Sequence, residues 1–303
     1  MNKPKLIVIT GPTASGKSAL AVSLAEKLHT EIISADSRQI YKGIPIVTAV
    51  PTLEERHEIK HHLLEILPLD GYYSAAKFQE DSDILIKEIT KKSGNIIICG
   101  GSMLYLDALT KGIDDLPTVP KEIRDALMNE WETKGDKWLL SQLQLLDPNY
   151  YDKIDHRNLK RVFHAIEISI TASKPYSSLL SYGKTNKELP YDITKFCLTG
   201  ERTILFNRIN DRVSQMIRTG LEEEARSVYP LRYLNSLNTV GLKEMFDWFD
   251  GKLKKEEAIS RIQKNTRVYA KKQLTWHKRD HDINYLDLQD GITYNINKIL
   301  NKI

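Results

Sequence analysis

Runs of apolar, mostly β-branched residues alternate with segments of helical spacing along the first hundred residues of the chain. The runs are apolar without alternation, which is typical of parallel strands buried on both faces. They predict four strands, at residues 5–10, 31–36, 62–67 and 95–100. Helices are predicted between them, at residues 19–28 and 74–92. Strands that alternate with helices in this way favour a parallel sheet covered on both faces.

The pattern changes after Gly112. Residues 113–190 show helical spacing and no convincing strand, and prolines interrupt their helical stretches. These stretches are 121–134, 136–146 and 157–172. Residues 195–199 and 283–288 then predict a return to the sheet. The fold class that we expect is therefore α/β, with a core formed by residues 1–112 and 191–303 and a mostly helical insertion at 113–190.

The turn after the first strand matches the phosphate-binding pattern GxxxxGK[ST], with Gly11, Pro12, Thr13, Ala14, Ser15, Gly16, Lys17 and Ser18. A buried strand precedes the motif and a helix follows it, which is the context that the motif requires. The backbone N–H groups of 13–18 would point at phosphate oxygens, and Lys17 adds a full positive charge. The Ser18 hydroxyl suits a Mg²⁺ ion bound to the same phosphates. The motif predicts a phosphorylated ligand without identifying it.

The strand at residues 95–100 ends without an acidic residue. An ATPase or GTPase normally has a carboxylate that binds Mg²⁺ at the end of another core strand. Here the strand is followed by Gly100, Gly101 and Ser102. This weakens the interpretation as a motor or switch and leaves a small-molecule transferase or a kinase open.

Asp36 follows the second predicted strand. The ligand crevice of an open α/β sheet lies beyond the carboxyl ends of its strands, so Asp36 and the phosphate-binding loop are expected to face one crevice. A carboxylate there could accept a proton from a nucleophile. The alternative is a helix cap or a turn residue. Ser37, Arg38 and Gln39 come next and carry donors for a polar substrate.

Three segments are rich in basic residues: 156–164, the helical sequence with Arg202, Arg208, Arg212 and Arg218, and 267–279. The first could bind an anionic polymer through its phosphates or form a solvated helix face. Arg208 and Arg212 share a helix face and could clamp a leaving group, or pair with the acidic residues 222–224. The third segment interleaves aromatic and basic residues, which suits nucleic acid or a packed core.

The composition narrows the class of protein. The chain has 303 residues, of which 41% are apolar and 28% charged, with a formal net charge of +4. This is ordinary for a soluble globular protein and permits an anionic partner without requiring one. Cys99 and Cys197 form no CxxC pair, so we expect neither a zinc site nor a disulfide framework. The apolar stretch at residues 6–9 is too short for a signal peptide or a membrane span, so we expect a cytoplasmic protein without membrane contact.

Nine segments together resemble the tRNA dimethylallyltransferases, also called tRNA isopentenyltransferases, or the IPP transferase family. They are GPTASGKS (11–18), ISADSRQIYKG (33–43), HHLLEIL (61–67), YSAAKF (73–78), CGGSMLY (99–105), NLKRVFHAIE (158–167), RINDRVSQMIRTGLEEE (208–224), TVGLKE (239–244) and TRVYAKKQLTWHK (266–278). The first is generic, whereas DSRQIYKG and KKQLTW are specific. The segments run in the order of the family and span nearly the whole chain.

The resemblance implies a core like that of the P-loop NTPases and a helical insertion that contacts the anticodon arm of tRNA. It implies transfer of a dimethylallyl group from dimethylallyl diphosphate to N6 of the adenosine just 3′ of the anticodon (tRNA position 37). Asp36 would take the proton from N6, and Lys17 and Arg212 would stabilise the departing diphosphate. The phosphate-binding loop would hold that diphosphate with Mg²⁺ near Ser18, and no nucleotide would be hydrolysed. We expect the protein to be a monomer.

The resemblance also implies a set of tRNA contacts. They are Asp36, Ser37, Arg38, Gln39, Ser102, Arg124, Lys160, Arg161, Val162, Phe163, His164, Thr239, Val240, Gly241, Leu242, Lys243 and Glu244. This chain departs from the family pattern at three of them, since the family usually has arginine where His164 stands, commonly tyrosine at Leu242, and threonine at Ser102.

Three alternatives stay open from the sequence. They are a nucleoside or metabolite kinase with ATP in the loop, an adenylate isopentenyltransferase that acts on free AMP, and an RNA-binding protein with a regulatory nucleotide site. The helical insertion distinguishes tRNA from a free nucleotide as acceptor, because only a large RNA needs such a surface.

Overall fold

A parallel sheet of six strands organises the computed structural model of this chain, in which residues 3–112, 114, 116–180 and 189–303 are described. The strands are β1 (Lys5–Thr10), β2 (Ile32–Ser34), β3 (His61–His62), β4 (Asn95–Cys99), β5 (Asp192–Thr199) and β6 (Ile283–Asp287). Their order across the sheet is β3-β2-β4-β1-β5-β6, and every neighbouring pair is parallel. The α/β fold with a parallel sheet flanked by helices is confirmed.

Helices follow most of the strands. In chain order they are α1 (Lys17–Leu28), α2 (Pro45–Thr48), α3 (Leu53–Arg56), α4 (Ala75–Ser93), α5 (Met103–Lys111), α6 (Lys121–Leu146), α7 (Pro148–Tyr151), α8 (Leu159–Ala172), α9 (Tyr176–Leu179), α10 (Arg202–Arg218), α11 (Leu221–Val228), α12 (Leu242–Phe249), α13 (Lys255–His277) and α14 (Gly291–Leu300). Short 3₁₀ turns lie at Tyr229–Leu231, Asn235–Leu237 and Leu288–Asp290. None of the helices in the described ranges is long and apolar enough to cross a membrane.

The described chain divides into two compact units. The first comprises Met1–Thr110 and Glu188–Ile303, and the second Lys111–Lys187. The boundaries expected from the sequence differ from these by two to three residues. Residues 113, 115 and 181–188 of the expected insertion lie outside the described residues.

The core of the first unit lies between the sheet and its helices. Ile7, Ile97 and Phe196 of the central strands are fully buried against Leu20 and Leu24 of α1. Each such side chain contributes about 1.5–3 kcal/mol by leaving water. Because β1 is held between β4 and β5, the loop that follows β1 starts from a rigid position.

The second unit has a hydrophobic core of its own, and its described residues form helices and turns without a strand. Leu139 and Leu143 of α6 pack against Val162 and Ile166 of α8. The predicted break between helices 121–134 and 136–146 appears as a kink inside α6 at Gly135, whose φ is 78°.

The strand predicted at residues 62–67 is wrong in most of its length. Only His61 and His62 pair with β2. Leu63 and Glu65 then adopt φ 59° and 48°, values that turn the chain out of the sheet. The apolar run is instead explained by loop packing, because Leu63 and Leu64 are each only 8% exposed.

Candidate active site

The phosphate-binding loop leads from the carboxyl end of β1 into α1. Gly11 has φ 149°, and a Cβ atom there would lie 2.3 Å from the carbonyl oxygen of Leu198, so only glycine fits. Gly16 precedes α1 in the left-handed region, with φ 95°. The first N–H groups of α1 have no partner within the helix and can bind an anion. This is the part of the predicted backbone arrangement that lies at the start of α1.

Two distant helices support this loop through side chains. Gln273 of α13 accepts a hydrogen bond from the Thr13 N–H (3.0 Å) and donates one to the Gly101 carbonyl (3.0 Å). Arg208 of α10 donates to the carbonyl oxygen of Ser15 (3.3 Å). The Ser15 N–H bonds within the loop, to a carbonyl oxygen 3.3 Å away. The N–H groups of Thr13 and Ser15 thus have partners inside the protein. The N–H groups that are left to bind a phosphate are those at the start of α1.

Two cations reach the same place without a carboxylate partner. The Arg212 guanidinium donates to the Thr13 hydroxyl (3.4 Å), and the Lys17 ammonium lies 3.5 Å from the Pro12 carbonyl oxygen. Neither cation forms an ion pair with any residue in the described ranges. Burial lowers the pKa of both groups, and the charge of Arg212 also acts to lower that of Lys17. The charge of Asp36, which lines the same cavity, acts to raise both pKa values. Two partly buried positive charges beside a single carboxylate still favour an anionic ligand.

Only one of the two carboxylate oxygens of Asp36 accepts hydrogen bonds from the backbone. Its Oδ1 accepts hydrogen bonds from the N–H groups of Arg38 (2.9 Å) and Gln39 (3.4 Å). Its Oδ2 accepts no hydrogen bond in the described part of the chain, and Asp36 lines a cavity together with Lys17 and Arg212. The structure thus combines the two interpretations of the sequence, because the carboxylate forms the turn and keeps an oxygen for a ligand.

Two residues that the family resemblance implies as tRNA contacts use their side chains within the protein. The Arg38 guanidinium donates to the carbonyl oxygens of Asn235 (2.8 Å), Ser236 (3.1 Å) and Asn238 (3.2 Å). The Gln39 amide donates to two carbonyl oxygens at residues 48 and 49. Both side chains fix neighbouring loops of the cavity wall, so their hydrogen-bonding groups are engaged there.

Two cavities meet at the loop. The first has a volume of about 420 Å³ and is lined by Asp36, Ser37, Thr239, Val240 and Gly241, among others. The second has a volume of about 970 Å³ and is lined mainly by apolar atoms. Both are lined by Lys17, Ser18, Ala49, Pro51, Arg212 and Met216. Lys17 of the loop and Arg212 of α10 therefore lie where the two cavities join.

The other predicted contacts in the first unit lie away from the cavity surface. Ser102 is buried next to the cavity-lining Gly100 and donates its N–H to the Ala35 carbonyl (3.1 Å). Leu242 is fully buried in the core. Glu244 is buried as well and accepts hydrogen bonds from the Gly241 N–H (2.8 Å) and an amide on α13 (2.7 Å). For Leu242 and Glu244 a structural role explains the burial, while Lys243 is exposed.

The remaining predicted contacts belong to the second unit. Arg124 makes two hydrogen bonds of 2.8 Å to the buried carboxylate of Glu167, and His164 Nδ1 lies 2.8 Å from the same carboxylate. Burial opposes ionisation of Glu167, but the hydrogen bonds from His164 and Arg124 outweigh it and lower its pKa. Val162 and Phe163, two further predicted contacts, have their side chains buried in the core of the second unit. The basic residues Lys160 and Arg161 are exposed.

Gln273, Tyr269 and Glu224 stand in segments noted above, but the sequence predicts no individual role for any of them. Tyr269 lines the first cavity, and burial, followed by the charge of Asp36, raises its pKa to about 12. A signal exists for Gln273, because it falls on the buried face of α13 with Ala270 and His277. A polar residue on such a face needs a partner. Glu224 in the acidic run 222–224 carries no such signal.

Comparison with known proteins agrees with the segments noted in the sequence. The model of the IPP transferase family matches residues 39–280. A protein named tRNA dimethylallyltransferase 2, from Parabacteroides distasonis, is 48% identical over 280 residues, which cover 92% of this chain and 93% of the relative. The crystal structure of the full-length tRNA isopentenylpyrophosphate transferase from Bacillus halodurans matches with a TM-score of 0.73 at 35% identity, over 99% of this chain and 97% of the other.

A structure of a eukaryotic dimethylallyltransferase acting on tRNA matches with a TM-score of 0.78 at 29% identity, over 94% of this chain and 74% of that one. The family model covers well over half of this chain, and the bacterial relatives align with it almost from end to end. This chain therefore belongs to the IPP transferase family.

Proposed function

We propose that this chain transfers a dimethylallyl group from dimethylallyl diphosphate to N6 of the adenosine 3′-adjacent to the anticodon in tRNA, and releases diphosphate. The relatives named for this activity align over more than nine-tenths of the chain, which supports prenyl transfer over the kinase alternative. A neighbour that acts on tRNA supports tRNA over free AMP as acceptor.

The observation that carries the proposal is the pair of desolvated cations, Lys17 and Arg212, in the cavity that Asp36 also lines. When the allylic C1–O bond of the donor breaks, negative charge accumulates on the diphosphate. Lys17, Arg212 and the N–H groups at the start of α1 are oriented before the reaction, so they stabilise this charge without reorganisation.

Asp36 acts on the acceptor. The lone pair of adenine N6 is delocalised into the ring, which makes N6 a poor nucleophile. As the N6–C1 bond forms and the C1–O bond breaks, a proton passes from N6 to the Asp36 carboxylate, at the oxygen that the turn does not use. The nucleotide must leave the stack of the anticodon loop to reach this carboxylate.

The two cavities suit the two substrates. Asp36 lines the first cavity but not the second, and the lining of the second cavity is the more apolar. We assign the first cavity to the adenine and the second to the prenyl diphosphate, with the reacting atoms at the shared residues Lys17 and Arg212. Each substrate then has a separate approach, so that neither must leave for the other to bind.

The residues at this junction fit a Mg²⁺ ion that arrives with the donor. Among the described residues no group of three His, Cys, Asp or Glu side chains could hold a metal ion. Ser18 lines both cavities, and its hydroxyl suits a Mg²⁺ ion that takes its other ligands from diphosphate oxygens and water. When bound, the ion would neutralise charge on the diphosphate.

The second unit would hold the anticodon arm. Lys160 and Arg161 are exposed in the first turn of α8, and His164 is partly exposed one turn later. Exposed lysine and arginine side chains such as Lys160 and Arg161 bind RNA phosphates. We propose further that the protein works as a monomer in the cytoplasm, which light scattering and cell fractionation would test.

Label transfer tests the proposal directly. The purified protein is incubated with labelled dimethylallyl diphosphate, Mg²⁺ and bulk tRNA, with AMP as an alternative acceptor and γ-labelled ATP as an alternative donor. We expect label in tRNA from the prenyl donor only. Label in a metabolite from ATP, with the prenyl donor unused, would replace the proposal by the kinase.

Asp36→Asn tests the role of the carboxylate. Asparagine keeps an oxygen for the turn but cannot take a proton, so we expect kcat to fall by about 10²–10⁴. The dissociation constant for tRNA, measured by filter binding, should stay within about twofold. The substitution changes the charge of the protein by one unit, which is small compared with the total charge of the RNA. Near-normal turnover would remove Asp36 from the mechanism.

A further inference from the structure

Residues 45–51, which we call the partition, form a wall between the two cavities. Val47 and Thr48 line the first cavity, Pro45, Ile46 and Val50 line the second, and Ala49 and Pro51 line both. Under the proposed function, the hydrocarbon chain of the donor lies against this wall when its C1 atom is at Lys17 and Arg212. The position of the partition therefore sets the room for that chain.

The partition cannot hold its own position. Its helix, α2, has only four residues, and so short a helix is not stable by itself. Its first N–H groups have no partner within the helix. Glu224 of α11 satisfies two of them, since its carboxylate accepts hydrogen bonds from the N–H groups of Ile46 (2.7 Å) and Val47 (2.8 Å).

The other end of the partition is held as well. Gln39 donates from Nε2 to the carbonyl oxygens of Thr48 (3.1 Å) and Ala49 (2.9 Å). On one face of the partition, Val47 packs directly on Gly241. A Cβ atom added to this glycine would come within 2.4 Å of the Val47 Cγ2 atom. The partition is thus fixed at its start, at its end and at one face. Two charged side chains contact it, Glu224 at its start and Arg56, which donates to the Pro51 carbonyl (2.7 Å), at its end.

We propose that Glu224 is a positioning residue that holds the partition and thereby limits the length of prenyl chain that the enzyme transfers. This inference rests on the proposed function. Glu224 touches neither substrate in this arrangement, because it lines neither cavity. It acts through the backbone of Ile46 and Val47.

The test compares Glu224→Gln and Glu224→Ala with the wild type, using dimethylallyl diphosphate and geranyl diphosphate as donors and tRNA as acceptor. Glutamine can accept only one of the two N–H bonds at full strength and alanine neither. We expect the ratio of kcat/KM for geranyl over dimethylallyl diphosphate to rise about threefold in Glu224→Gln and about tenfold in Glu224→Ala. The KM for tRNA should not change.

Glu223→Gln is the matched control, because it removes the same charge from an exposed neighbour on the same helix. We expect it to leave the donor ratio at the wild-type value. Should Glu224→Ala fail to fold, Ile46→Ala widens the second cavity directly and should raise the same ratio.

The outcomes separate the two proposals. If wild-type protein transfers dimethylallyl groups and the Glu224 variants lose activity equally with both donors, Glu224 has only a structural role and this inference is overturned. If wild-type protein transfers no prenyl group to tRNA, the proposed function itself fails, whatever the variants do.

Discussion

Arginine and a second basic side chain come together in each of the two units, and the surroundings differ. In the second unit, Arg124 and His164 share the buried carboxylate of Glu167, which satisfies both. In the first unit, Lys17 and Arg212 are desolvated without an ion pair in the described residues. Removing one partner of a buried pair destabilises the fold, whereas a partly buried cation without an ion pair costs stability unless a ligand binds it. The comparison separates a structural cluster from a candidate catalytic one.

Replacing Arg212 should produce the largest effect on activity. We expect Arg212→Gln to lower kcat/KM for dimethylallyl diphosphate by about 10²–10³, because a preorganised charge on the leaving group is lost. We also expect the melting temperature to stay level or rise, since a costly desolvated charge is removed. Initial rates with labelled donor and thermal unfolding measure the two quantities.

Arg218→Gln is the control for this variant, because it changes an exposed arginine at the end of the same helix. It should leave both quantities unchanged. A lower melting temperature with full activity in Arg212→Gln would make Arg212 a structural residue, like Arg124. The difference drawn between the two clusters would then be wrong.

Replacing Arg124 should lower stability, whereas replacing Arg212 should lower activity. Arg124→Gln leaves the Glu167 carboxylate buried with one partner fewer, and we expect the free energy of unfolding to fall by about 2–3 kcal/mol, reduced somewhat because Arg124 is partly exposed. Urea unfolding measures this loss.

Arg157→Gln is a matched comparison in the same unit, because Arg157 also pairs with a carboxylate, that of Asp155, but in full solvent. We expect little change in its unfolding curve. Equal losses in the two variants would mean that burial of Glu167 does not matter, contrary to the comparison.

The sequence was informative where the chemistry is contiguous along the chain. The loop at residues 11–18 is one motif between one strand and one helix, and Asp36 shares its edge of the sheet because parallel strands end on the same side. Both features follow from local patterns combined with a general rule of topology.

The sequence was not informative where two distant segments meet. Gln273 reaches the loop at Thr13 from 260 positions away, and Glu224 reaches Ile46 from 178 positions away. Such pairings depend on how helices return to the sheet, which periodicity does not encode. The predicted strand at 62–67 failed for a related reason, because an apolar run reports burial but not the positive φ values of Leu63 and Glu65.

The smallest expected effect is a change in the free energy of unfolding with pH, which arises from His277. It is buried on α13, its Nε2 atom 3.2 Å from the Thr10 hydroxyl, and burial, followed by the charge of Lys17, lowers its pKa to about 4. Protonation would place a positive charge in buried surroundings and within the field of Lys17, partly offset by Asp280 and Asp107. Because the unfolded chain takes up this proton near pH 6.5, the folded state loses stability as pH falls from 6.5 toward 4. The loss is about 2 kcal/mol between pH 7 and pH 5.

Urea unfolding at pH 7 and pH 5 measures this loss, and His277→Gln, which keeps a polar group near Thr10, should abolish most of it. His281→Gln, at an exposed histidine just beyond the same helix, should retain the wild-type difference. If His277→Gln also retained it, the acid sensitivity would arise elsewhere. Burial of His277, together with the charge of Lys17, would then not account for the loss of stability in acid.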